Sequence, residues 1–178
     1  MIMKTFASIF LMASVLLTGC TPEEHIHNEQ ELITKVRLSF TDSNGKKSIA
    51  SWSDPDGDLG ATNPVADTIR LSANNAYIGT VEVLNETVNP PTNLTSEIQR
   101  EQEAHLWIYK YDKDNATFSV SDKDKNNQPV GLQFSVETSK PGFGSLEVIL
   151  KHNADKTSVQ PENTGETDVA VKFNVRID

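Results

Sequence analysis

The chain has 178 residues, of which 25 are acidic and 16 are Lys or Arg, so its formal net charge is −9. This acidic balance argues against nucleic acid as a partner and against adhesion to anionic lipid through basic side chains. The single cysteine excludes a disulfide within the chain, and the length suits one domain with its own core.

The N-terminus has the features of an export signal. Lys4 supplies a positive charge, and residues 7–17 form an apolar run that is too short to span a membrane. The sequence Leu17-Thr18-Gly19-Cys20 follows directly and resembles the lipobox of bacterial lipoproteins. We therefore predict that residues 1–19 are a signal peptide and that Cys20 becomes the acylated N-terminus, which anchors the protein to a membrane without a transmembrane helix.

Residues 20–31 form an acidic tether between this anchor and the domain that follows. The tether resembles the signal that sends Bacteroidota lipoproteins to the outer face of the outer membrane, so we expect a lipid-anchored, surface-exposed protein. It also contains His25 and His27, which project to the same side of an extended segment and are flanked by glutamates. Imidazoles with nearby carboxylates are ligands for Zn or Cu. A solvated linker is the alternative interpretation.

Beyond the tether, apolar and polar residues alternate with the period of half-buried strands. The alternation is clearest in residues 32–40, and a turn at Asn44-Gly45 then favours a hairpin into residues 47–52. Further strands are predicted at residues 68–72, 77–87, 105–111, 117–121, 130–137, 145–152 and 168–177.

A turn rich in carboxylates follows the predicted hairpin. Asp54, Asp56 and Asp58 alternate there, and such a loop can supply the oxygen ligands that Ca²⁺ requires. The glycine spacing departs from an EF-hand loop, and Val65 stands where that loop needs a glutamate. The sequence thus permits a simple calcium loop, with an ordinary Asp/Gly/Pro turn as the alternative.

Residues 97–104 break the strand pattern and predict a two-turn helix, with Thr95 or Ser96 as its N-cap. In a helix that continues to His105, Glu101 and His105 are four residues apart and share a face, so they can chelate one metal ion together. This pair, alone or with His25 and His27, is the second candidate metal site, and a plain surface pair is the alternative.

The strand that follows carries an aromatic stripe. His105, Trp107, Tyr109 and Tyr111 alternate along one face. Trp107 and Tyr109 can stack on a sugar or a peptide ligand, although packing between two sheets is the other use of such a row. His152 ends a later strand and follows Leu150 on the inward face.

The strands and turns together predict the fold class. Short strands separated by Gly, Pro, Asn and Asp turns indicate an all-β, immunoglobulin-like antiparallel β-sandwich over residues 32–178, with one short helix in a connecting loop. The sequence contains no GxSxG elbow, no HExxH motif and no phosphate-binding glycine loop. We therefore expect a binding protein rather than an enzyme.

Several segments carry a resemblance to a known family: the lipobox, the Glu/His tether, residues 52–57 and 83–87, the run from 97 to 105, and Lys151-His152. They resemble a family of uncharacterised Bacteroidota outer-membrane lipoproteins that often carry the label of type 1 periplasmic-binding fold proteins. That label implies two α/β lobes, which this chain is too short and too β-patterned to form. The resemblance also implies a neighbouring TonB-dependent receptor and capture of a metal or small nutrient.

From these observations we expect a surface-anchored, non-enzymatic β-sandwich that captures a divalent metal through His25, His27, Glu101 and His105. The alternative is an adhesion module that binds carbohydrate or protein, with structural calcium at Asp54, Asp56 and Asp58.

Overall fold

Eleven strands form two β-sheets in the part of the chain that the computed structural model describes, residues 32–57 and 62–178. The predicted lipobox and tether lie outside these residues. The strands are β1 (Lys35–Asp42), β2 (Lys47–Ser53), β3 (Val65–Ala66), β4 (Thr68–Leu71), β5 (Ala76–Asn85), β6 (Thr92–Asn93), β7 (His105–Tyr111), β8 (Ala116–Val120), β9 (Gln133–Thr138), β10 (Gly142–His152) and β11 (Glu166–Ile177).

The two sheets have different sizes and connections. The larger sheet has the order β3-β2-β1-β5-β9-β8, with β6 paired to β5, and the smaller has the order β4-β11-β10-β7. Pairing is antiparallel except between β4 and β11, which run parallel. The predicted all-β sandwich is confirmed, and the parallel pair is a departure from a purely antiparallel arrangement.

The core lies between the sheets and follows the alternation of the sequence. In β1 the buried residues are Val36, Leu38 and Phe40, and β11 buries every second residue from Val171 to Ile177. Trp107 of β7 and Phe134 of β9 are completely buried in the same cluster. Removal of this apolar surface from water is the main force that holds the two sheets together.

One short α-helix, α1 (Thr95–Arg100), connects β6 to β7. It is shorter than predicted, since the backbone leaves the helical region at Glu101. The predicted side-chain cap by Thr95 or Ser96 is wrong: Leu94 is the N-cap, and the Thr95 hydroxyl instead accepts the backbone N–H of Val83 at 2.8 Å. Within the described residues, neither α1 nor any other helix has the length and apolar character needed to cross a bilayer.

The pairing of β10 with β11 contains a β-bulge. Leu150 pairs with Val169, whereas the next residue, Lys151, pairs with Thr167, so Asp168 has no partner in the register. An extra residue of this kind bends its strand and redirects its side chain. The bulge therefore frees Asp168 from the alternation of β11.

Candidate metal site

Two histidines and one aspartate meet at one end of the smaller sheet. His105 is the first residue of β7 and His152 is the last residue of β10, and the two lie directly opposite each other in the register. Asp168 comes from the neighbouring strand β11, at the bulge. Three adjacent strands thus contribute one side chain each.

Strand geometry turns all three side chains toward the interior. His105 has the same parity as the buried Trp107, and His152 has the same parity as the buried Leu150. Asp168 follows because the bulge lets two successive residues of β11 point inward. His105 is 2% exposed, and the Asp168 side chain is 7% exposed.

The three inward atoms are spaced as metal ligands are. The distance is 3.1 Å from His152 Nδ1 to His105 Nε2, 3.8 Å from His105 Nε2 to Asp168 Oδ2, and 3.9 Å from His152 Nδ1 to Asp168 Oδ2. A point in the plane of these atoms lies about 2.1 Å from all three, which is the length of Zn–N and Zn–O bonds. We call these three residues the His/Asp cluster, and within the described residues their ligand atoms converge closely enough to hold one metal ion.

The second nitrogen of His105 is held by the backbone. His105 Nδ1 lies 3.1 Å from the carbonyl oxygen of Glu101. Because a carbonyl oxygen can only accept, Nδ1 carries the proton and donates it, and Nε2 of the neutral ring presents its lone pair to the cluster. A backbone carbonyl that orients a ligating imidazole in this way is the usual outer-shell arrangement of metal sites.

The electrostatics of the cluster favour a neutral imidazole at His105. Burial lowers the pKa of His105 below its usual 6.5, and the neighbouring His152 lowers it further, although the bond to the Glu101 carbonyl and the Asp168 charge oppose the shift. Burial also raises the pKa of Asp168 above 3.8, against the effect of both histidines. A metal ion requires the deprotonated form of each ligand, which His105 readily supplies.

Asp168 Oδ2 is the least satisfied atom of the cluster. It is shielded from solvent and has no hydrogen-bond partner, since both histidine nitrogens lie beyond hydrogen-bond distance. A buried carboxylate oxygen without a partner costs free energy, and native proteins rarely leave one unpaired. A bound cation at the point between the three atoms removes that cost.

The sequence predicted only part of this cluster. His105 lies in it, but α1 ends at Arg100, so the helical spacing that pairs the Glu101 carboxylate with His105 does not exist. Glu101 meets His105 through its carbonyl oxygen instead. His25 and His27 lie outside the described residues.

The four ligands predicted from the sequence include neither His152 nor Asp168. His152 was placed correctly on the inward face, and its position opposite His105 follows from the pairing of β7 with β10, two strands far apart in the chain. Asp168 has no such signal, because regular alternation places it on the outer face. A bulge in the hairpin of β10 and β11 is the feature that sequence alternation misses.

The prediction that Trp107 stacks on a ligand is wrong. Its side chain is completely buried between the sheets, so an external sugar or peptide cannot reach its face. Tyr109 is half-buried, its hydroxyl donates to the Gly131 carbonyl at 2.7 Å, and its ring centroid lies 4.3 Å from that of Phe134. The aromatic stripe therefore serves the packing of the two sheets.

The carboxylates of the predicted calcium loop lie partly outside the described residues. Asp54 is buried, with its backbone N–H donating to the Thr34 carbonyl, and both carboxylate oxygens of Asp56 are shielded from solvent. Asp58 belongs to the segment 58–61, which the structure does not describe. The calcium loop thus stays a prediction.

Comparisons of the chain with models of protein families, with curated proteins and with solved structures found no match.

Proposed function

We propose that this protein is a non-enzymatic binding protein that captures one divalent transition-metal ion, zinc or copper, at the His/Asp cluster. The observation that carries the proposal is the convergence of His105 Nε2, His152 Nδ1 and Asp168 Oδ2 around a point at bonding distance from all three. The shielded, unpartnered oxygen of Asp168 supports it independently.

The ligand set selects the class of ion. Two imidazole nitrogens and one carboxylate oxygen suit Zn²⁺ and Cu²⁺, whereas Ca²⁺ and Mg²⁺ prefer oxygen ligands alone. With neutral rings the cluster has a charge of about −1, which a divalent cation overcompensates. The net charge of −9 further attracts cations to the molecule.

The His/Asp cluster supplies three ligands, and a tetrahedral zinc ion takes a fourth. We propose that His25 or His27 of the tether, or a water molecule, takes this position. The tether continues into β1, and the start of β1 pairs with the end of β5. From that end of β5 the chain passes through β6 and α1 to His105. The segment between His27 and Leu32 spans at most about 17 Å, which limits how far the tether can reach.

The proposed location of the protein gives metal capture a function in uptake. We propose that the acylated Cys20 holds the domain on the outer face of the outer membrane, where a captured ion passes to a TonB-dependent receptor. The resemblance of the lipobox and the tether to Bacteroidota lipoproteins supports this part of the proposal. A binding protein needs no catalytic group, in keeping with the motifs that the sequence lacks.

Calorimetric titration of the cleaved, soluble domain with zinc and with copper tests the proposal. We expect a 1:1 complex with a Kd below about 1 μM. The D168N variant keeps the size of the side chain, and H152N keeps a polar side chain. Each should weaken metal binding by at least about 100-fold, which is more than the loss caused by changing a residue that only hydrogen-bonds to a ligand. Binding that survives both replacements contradicts the proposal.

Two further variants separate the ligands that the sequence suggested. E101Q retains the backbone carbonyl that orients His105 and changes only the carboxylate, so we expect an unchanged Kd. A loss in E101Q as large as that in D168N would instead make the Glu101 carboxylate a ligand. The H25A/H27A double variant tests whether the tether supplies the fourth ligand. A weaker affinity for the metal would assign the fourth position to the tether, and an unchanged Kd would assign it to water.

The second candidate function is an adhesion module whose loops bind carbohydrate or protein, with calcium at Asp54, Asp56 and Asp58. The burial of Asp54 and the shielded oxygens of Asp56 favour a structural ion there. Calcium titration of the unmodified domain and of D56N tests this second candidate. The candidate predicts that the unmodified domain binds calcium and that D56N does not.

A further inference from the structure

A buried ion pair joins the loop after β10 to the loop between β8 and β9. The ammonium of Lys156 is 3.0 Å from Asp124 Oδ2, and the two side chains are only 5% and 1% exposed. Removing two charges from water is unfavourable, and apolar pairs of similar size often stabilise a protein as well or better. Stability alone is therefore a weak reason for this pair.

The pair fastens together three loops. Asp124 lies in the loop between β8 and β9, where its other oxygen accepts the backbone N–H groups of Asn126 and Gln128, each at 2.9 Å. Lys156 lies in the loop after β10 and also donates to the carbonyl oxygen of Gln102 at 2.6 Å. Gln102 belongs to the turn between α1 and β7.

Two of these loops adjoin the strand ends that carry the histidines of the cluster. Gln102 comes three residues before His105, and Lys156 comes four residues after His152. A second bond joins the same segments, since the backbone N–H of Asn153 donates to the Ala104 carbonyl at 2.7 Å. The segments on either side of the two imidazoles are thus tied to each other directly, and the loop held by Lys156 leads on to Asp168.

We propose that Lys156 is a positioning residue, which holds His105 and His152 at the separation that a metal ion requires. This inference rests on the proposed function of the cluster. Lys156 is not a proposed ligand: its ammonium joins the loop after His152 to Gln102, which precedes His105, and to Asp124. Positioning of ligands by such outer groups typically accounts for about 10–100-fold in metal affinity.

Zinc titration of the soluble domain with K156M and D124N tests the inference. Each variant removes one half of the ion pair, and we expect the Kd for zinc to rise by about 10–100-fold in both. The matched control is K125M, because Lys125 pairs with Glu103 at 3.0 Å in the same region but is 73% exposed. K125M should bind zinc as the unmodified domain does, and K156R, which retains the charge, should recover part of the lost affinity.

A purely structural role predicts a different result. If the pair only stabilises the fold, K156M lowers the thermal midpoint of the metal-free and the zinc-loaded domain equally, and the Kd is unchanged, because affinity reports the difference between the two states. Equal Kd values in the unmodified domain, K156M and D124N would overturn the inference while the proposed function stands. Failure of the unmodified domain to bind zinc or copper would overturn both. If K156M does not fold, D124N decides.

Discussion

At His105, one hydrogen bond determines which ring nitrogen is available to a metal ion. The Glu101 carbonyl accepts a hydrogen bond from the Nδ1–H group, so Nε2 faces His152 and Asp168. In the metal-free protein Nε2 accepts a hydrogen bond from His152 Nδ1. A metal ion replaces this bond, and the proton of the neutral His152 ring moves from Nδ1 to Nε2.

The lowered pKa of His105 predicts how stability depends on pH. Between the usual value of 6.5 and the lower folded value, the unfolded chain binds a proton that the folded protein does not. The free energy of unfolding therefore falls as the pH is lowered through this window. The raised pKa of Asp168 acts in the opposite direction, because the folded state holds that proton more tightly.

Urea denaturation of metal-free D168N and D168N/H105N isolates the histidine, since neither variant contains the Asp168 carboxylate. As the pH falls from about 7.5 to 5.5, we expect the free energy of unfolding to decrease more steeply for D168N than for D168N/H105N. The difference between the two slopes should correspond to at most about one bound proton. Parallel pH profiles would show that His105 titrates alike in the folded and the unfolded chain.

At the scale of residues, sequence and structure agree where alternation is regular and differ where it is interrupted. His105 was a predicted ligand, and His152 was placed on the inward face, since both continue the alternation of Trp107 and Leu150. Asp168 could not be predicted, because a bulge changes which face of β11 it occupies. The prediction that the Glu101 carboxylate chelates a metal ion together with His105 was wrong, because α1 ends at Arg100 and the helical spacing does not reach His105.

At the scale of elements, the His/Asp cluster joins the ends of β7, β10 and β11. In the proposed function, a metal ion bound there cross-links three neighbouring strands and binds the folded state much more tightly than the unfolded chain. Binding to the folded state alone adds about 2.7 kcal/mol when free metal is 100 times its Kd. For a domain of this size that corresponds to a rise of about 5–10 °C in Tm.

Thermal unfolding with and without zinc measures this cross-link. We expect the rise in the unmodified domain and in E101Q, and its loss in D168N, where the cluster lacks its charged ligand. Magnesium in place of zinc should leave the Tm unchanged, because the imidazoles are poor ligands for it. An equal rise in D168N would place the ion elsewhere in the molecule.

The elements themselves follow largely from the sequence. Every predicted strand has a counterpart, because period-two burial is a strong signal in strands such as β1 and β11. The two-residue strands β3 and β6 were missed, since two residues contain no period. The parallel pairing of β4 with β11 also could not be predicted, because alternation reports which face is buried and not which strand is the neighbour.

At the scale of the whole molecule, the proposal joins a metal site to a membrane anchor. If Cys20 is acylated, mass spectrometry of the protein from membranes should find fatty acid on an N-terminal fragment that begins at Cys20. C20A removes the thiol that takes the lipid, and we expect this variant to leave the outer-membrane fraction while its soluble domain still binds zinc. An outer-membrane location retained by C20A would contradict the anchor and leave the metal site untouched.

The central claim is that His105, His152 and Asp168 bind one transition-metal ion. A crystal structure of the zinc-loaded domain, with anomalous diffraction recorded at the zinc edge, tests it most directly. We predict one strong anomalous peak at about 2.1 Å from His105 Nε2, His152 Nδ1 and Asp168 Oδ2. Zinc bound at other residues, with these three side chains free of metal, would contradict the claim.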